Sequence, residues 1–106
     1  MTLEAEFHAA MVKIYETAKR ELNYNATYFL GMVSDHGGVE AAHHLLATDK
    51  PSDGFTTLWS AGRLDLSVEA HVLDPQFEPL FTEAERRTAR RRLEQYGYRL
   101  TEGRGT

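Results

Sequence analysis

The chain has 106 residues, no cysteine and a formal net charge of −4. That length suits one domain. The lack of cysteine excludes a disulfide scaffold, thiolate catalysis and cysteine-based zinc fingers, and it favours a cytoplasmic protein. No apolar run approaches the ~18 residues of a membrane span, and Glu4 and Glu6 stand where a secretory leader needs positive charge.

From the N-terminus, the first expected element is a helix over Leu3–Leu22. Leu3, Phe7, Met11, Ile14 and Ala18 fall on one helical face, and Thr2 is a suitable N-cap. Val12 lies opposite that stripe, as a lone exposed apolar residue or a contact point. Asn25 is read as the cap of a second helix from Ala26 to about His36, with Ala26, Phe29, Leu30 and Val33 inward. Gly37-Gly38 ends it, since glycine accepts the left-handed conformation of a helix terminus. A third helix is expected over Val39–Ala47, with Val39, Ala42, Leu45 and Leu46 inward.

Thr48–Gly54 reads as a loop. Ser52 or Asp53 then caps a short helix through Phe55, Leu58 and Trp59, ended by Gly62. Asp65 is read as the cap of a helix over Leu66–Leu73, apolar on both sides and so placed at the centre of a bundle. Asp74-Pro75 stops it, and 75–81 is a turn-rich link carrying Phe77, Leu80 and Phe81 into the core. Thr82 and Glu85 have capping-box spacing for a last helix that runs to Tyr96, with Gly97 as C-cap. No strand pattern is present. The expected fold is all-α, one irregular bundle of five or six helices over residues 1–100, with 101–106 a frayed tail.

Charge is uneven. Residues 1–81 carry twelve acids and five bases, net −7, and residues 82–106 carry four acids and seven arginines, net +3. On a helical wheel Arg86 and Arg92 flank the apolar stripe of the last helix and can dock on the acidic body. Arg87, Arg90 and Arg91 point outward as a candidate polyanion or partner contact, although Glu83 and Glu94 share their face. A second candidate set is Arg63, Asp65, Glu69 and His71, around the start of the Leu66–Leu73 helix, where an arginine and free amides suit an anion. His36, His43 and His44 lie near Glu40, but their helical positions favour surface histidines over metal ligands. Trp59 and Tyr28 read as core or edge aromatics. No nucleophile–base pair, phosphate loop or HExxH is found, and no metal or cofactor is expected.

Several segments together resemble a family of small bacterial hypothetical proteins of about this length. They are Tyr24-Asn25-Ala26-Thr27 with Phe29-Leu30, His36-Gly37-Gly38 with Ala41-Ala42 and Leu45-Leu46, Gly54-Phe55-Thr56-Thr57-Leu58-Trp59, Gly62-Arg63-Leu64-Asp65-Leu66, and Leu80-Phe81-Thr82-Glu83. The likeness spans roughly residues 5–98. It implies a bacterial protein complete at this length. The family has no assigned activity, so no residue role carries over.

Three readings of function follow. The leading one is a non-enzymatic interaction module, an adaptor or subunit that binds another protein or itself, with Val12, Tyr28 and Met32 as contact residues off the core. The alternative is a nucleic-acid accessory protein using the arginine helix or the Gly37-Gly38 helix pair. A third is an enzyme or ligand-binding protein with a pocket at Arg63, Asp65, Glu69 and His71.

Overall fold

A computed structural model describes residues 2–98, which form six α-helices and two 3₁₀ segments, with no strand among the described residues. The fold is an all-α bundle. The tail expected at 101–106 lies outside the described residues.

Helix α1 (Leu3–Leu22) has the expected bounds. Thr2 accepts from the Ala5 amide, and Phe7, Met11, Ile14 and Ala18 are buried along one stripe. Asn23 ends the helix in the left-handed conformation. Val12 is half-buried against the core rather than exposed, because helices on two sides widen the covered face.

Helix α2 (Thr27–His36) starts one residue later than expected, and its cap position falls on Ala26, without a side-chain cap. Asn25 does not cap it. Its Oδ1 instead accepts from the Tyr15 hydroxyl at 2.6 Å, so the α1–α2 link is tied back to α1. Met32 and Val33 are the buried residues of α2. Met32 is therefore a core residue and not an outward contact.

Gly37 joins α2 to α3 (Gly38–Leu46) with φ of 89°, in the region that favours glycine. Gly38 is required for a different reason. A Cβ there would lie 2.7 Å from the His8 Cα, a backbone atom that cannot swing away. The Gly38 amide donates to His8 Nδ1 at 3.0 Å, so α1 both crowds and caps the start of α3. Ala41, Ala42 and Leu46 are buried, while Val39 and Leu45 are half-buried.

Gly38→Ala is expected to destabilise by about 1–3 kcal/mol through overpacking. Gly31→Ala, inside α2 with nothing within 4 Å of the added carbon, is expected to gain roughly 0.4–1 kcal/mol. Denaturant melts of the two variants check both signs.

Helix α4 (Asp53–Ser60) is capped by Ser52, whose Oγ accepts from the Phe55 amide. The helix expected at Leu66–Leu73 is shorter. A 3₁₀ turn occupies Leu64–Leu66, Ser67 is the N-cap, and α5 covers Val68–Val72. Ser67 wins over Asp65 because its Oγ satisfies both sides of the junction, donating to the Leu64 carbonyl at 2.7 Å and accepting from the Ala70 amide at 3.1 Å. Asp65 turns outward to Arg63. The central placement holds for the shorter element: Val68, Glu69 and Val72 are buried, Leu73 follows, and α5 packs on α3 and α6.

The second 3₁₀ segment, Pro75–Leu80, carries Phe77 into the core, and Phe81 follows it. Both rings meet Phe7 edge-on, at centroid distances of 5.0 and 5.1 Å. Helix α6 (Glu83–Gln95) opens with the Thr82–Glu85 capping box and buries Ala89, Arg92 and Leu93.

Candidate functional site

The two sequence-predicted clusters meet different fates. On α6, Arg87 is exposed and lies 3.5 Å from Glu83 one turn before it. Arg91 is exposed and Arg90 half-buried rather than fully outward. Arg86 lies 3.7 Å from Glu78. Arg92 is buried. It donates to Glu69 Oε2 at 3.1 Å, to the Leu45 carbonyl at 3.1 Å and to the Thr48 carbonyl at 2.7 Å. The Gly37-Gly38 pair does not present a free second helix, since α3 packs on α1, α2, α5 and α6.

Of Arg63, Asp65, Glu69 and His71, the first two stay paired, while Glu69 and His71 bond elsewhere. Arg63 donates to both oxygens of Asp65 and, at 2.7 Å, to Glu21. Its hydrogen bonds to Asp65 and Glu21 hold it above its ordinary pKa, and the bond to Arg63 holds the Glu21 carboxyl below its own. The guanidinium is thus occupied by two carboxylates. His71 Nδ1 lies 3.0 Å from the Ser67 carbonyl, which only accepts, so that nitrogen carries the proton. Glu69 faces inward, and burial pushes its carboxyl up despite the Arg92 bond.

Of the histidines, His36 and His44 are exposed, and His43 sits edge-on to Phe81 with Nδ1 2.5 Å from Glu85 Oε2. Among the described residues no three His, Cys, Asp or Glu side chains converge to hold a metal ion.

The described residues form a cavity of about 310 Å³ between α1, α2, α4 and the start of α5. That volume is at the lower end of the range for small-ligand pockets, roughly 300–1,000 Å³. Ile14 and Ala18 of α1, Met32 of α2 and Leu58 of α4 form an apolar wall. Tyr15, Tyr24, Tyr28 and Phe29 are its aromatic residues, and Ser67 and Glu69 line it from the start of α5. Only Glu69 of the second predicted cluster contributes.

Local structure fixes this rim. The Tyr15 hydroxyl is held by Asn25. The Tyr24 hydroxyl lies over Gly54, where a Cβ would come within 3.3 Å of it. Tyr28, in the first turn of α2, is 82% exposed and lines the cavity, which fits an edge aromatic or an outward contact and not a core aromatic. Trp59 is 49% exposed and packs edge-on to Tyr96, as an edge aromatic does.

Sequence reasoning missed the cavity because its walls come from separate segments of the chain. The one available signal was Tyr24, Tyr28 and Phe29 clustered beside small residues. No helix among the described residues is long and apolar enough to cross a membrane. No family model, no curated protein and no solved structure matches this chain.

Proposed function

We propose that this protein is a small non-enzymatic binding module that captures a group presented by a partner in the cavity between α1, α2 and α4. The observation that carries this reading is the cavity itself, apolar inside and rimmed by tyrosines, with the exposed Tyr28 ring beside it. Apolar pockets with a few fixed polar groups are the usual form of recognition sites, and exposed tyrosine is characteristic of contact surfaces. A partner protein inserting a side chain is the occupant this reading favours, in a reducing compartment as the cysteine-free composition suggests.

Ala18 provides the test, because it is buried and its side chain borders the cavity. Ala18→Leu is expected to keep or raise the melting temperature, since the added carbons enter empty space. Ala42→Leu, at a fully buried position away from the cavity, is expected to cost about 1–3 kcal/mol. Indole serves as a side-chain mimic, with Met32 and Leu58 methyl resonances followed by nuclear magnetic resonance. Saturable shifts are expected in the parent protein and none in Ala18→Leu. Indifference of both methyls in the parent at millimolar indole removes the proposal.

A further inference from the structure

We infer that the group this pocket receives is a weakly hydrated organic cation, of the quaternary-ammonium kind, on an apolar stem. The inference rests on the reading of the cavity as the recognition site, and it adds the charge of the occupant. Among the described residues that line the cavity, Asp53 and Glu69 are acidic and none is lysine, arginine or histidine. The rings of Tyr15, Tyr24, Tyr28 and Phe29 border the same space. Aromatic faces carry negative quadrupole density and attract cations, most strongly where water is displaced.

The two carboxylates stand at different depths. Asp53 opens α4 and is exposed, so it marks the mouth. Glu69 is buried, on the first turn of α5. Arg92 holds Glu69 but does not line the cavity. Its guanidinium also donates to the Leu45 carbonyl and to Thr48. A ligand in the cavity therefore meets the exposed Asp53 and four aromatic residues, while Glu69 is already paired with Arg92 behind the lining.

Ligand charge follows from this lining. An anion would approach the Asp53 carboxylate with no lysine, arginine or histidine lining the cavity to pair with it. A compact ammonium such as unmodified lysine would lose a tightly held hydration shell. An alkylated ammonium loses less hydration and gains both the apolar wall and the rings. The acidic body, net −7 over residues 1–81, raises the local concentration of such a cation. Its source is either a free molecule or the modified side chain of a partner, and both present the same head.

The test is a calorimetric titration of the full chain with three probes of similar shape: choline, its neutral isostere 3,3-dimethylbutan-1-ol, and 3,3-dimethylbutanoate. Choline is expected to bind about tenfold tighter than the alcohol, from the cation–ring attraction, and the carboxylate weakest. Asp53→Asn, on an exposed residue that is not the N-cap, is expected to weaken choline several-fold and leave the alcohol unchanged. A short peptide bearing trimethyllysine separates the sources. Tighter binding of the peptide than of choline assigns the head to a partner protein, and tighter choline assigns it to a free molecule; both support a cation. If the alcohol binds as well as choline, the charge inference is overturned and the pocket reading stands. If none of the probes saturates, the pocket reading fails and the inference falls with it.

Discussion

Arg92→Ala is expected to cost about 3–5 kcal/mol of folding stability, the range for removing one partner of a buried ion pair. Both side chains of the Arg92–Glu69 pair are only 5% exposed, so solvent screening gives little relief. The guanidinium also closes the C-terminal end of α3 and the loop after it, through the Leu45 and Thr48 carbonyls. Its loss leaves two carbonyls and a carboxylate without these donors, in three separate parts of the chain. Arg87→Ala, which breaks an exposed pair one turn apart on α6, is expected to change stability by about 0–0.5 kcal/mol.

The Arg92→Ala deficit has a pH signature. Burial raises the Glu69 carboxyl above its unfolded value. A group raised in this way contributes stability that is fully present below the unfolded value and lost as pH rises through the folded value. Without Arg92 the carboxyl rises further, because the opposing hydrogen bond is gone. The deficit relative to the parent is thus expected to shrink as pH falls from neutrality into the carboxylate range. Chemical denaturation of both proteins at several pH values measures it. A deficit that grows on acidification contradicts this account of the pair.

Phe7→Ala carries a comparable expected cost, about 3–5 kcal/mol. Phe7 is fully buried and makes edge-on contacts with Phe77 and Phe81. These three rings are the seam between α1 and the 3₁₀ link that leads to α6. Truncation removes the apolar area and two aromatic contacts, each worth roughly 0.5–1.5 kcal/mol beyond burial, and leaves a cavity the helices cannot close. Phe7→Leu keeps most of the volume and is expected to lose less than half as much. Equal losses for the two substitutions, read from urea midpoints, contradict a packing origin.

What the sequence made legible were local signals. Thr2, Ser52 and the Thr82–Glu85 box cap helices as their spacing implies, and Gly37 breaks α2 from α3. These features depend on atoms three or four residues apart. The start of α5 was less legible because Leu64 and Leu66 are buried whether they sit in an α-helix or in a 3₁₀ turn. The choice between Asp65 and Ser67 as cap turned on a hydroxyl that can donate and accept at once. The role of Arg92 was visible as a position flanking the stripe, but its partner lies 23 positions earlier in the chain, beyond any helical periodicity. Asn25 was misassigned for the same reason, since Tyr15, ten positions away, draws off its side chain.

The cavity is illegible in a deeper sense. Ile14, Ala18 and Leu58 carry the pattern of core residues, Met32 reads as an outward contact, and all four are buried. An unfilled volume is a property of how faces from different helices meet, and no single residue encodes it. Recognition in this cavity requires that volume to be open in the folded protein. Crystals held under xenon pressure test it most directly, since an apolar cavity of this kind takes up the gas. Xenon density is expected between Ala18, Met32 and Leu58 in the parent protein and is expected to be lost in Ala18→Leu. A parent structure in which the rings of Tyr24 and Phe29 have collapsed onto α1, with no xenon between the helices, would contradict the account.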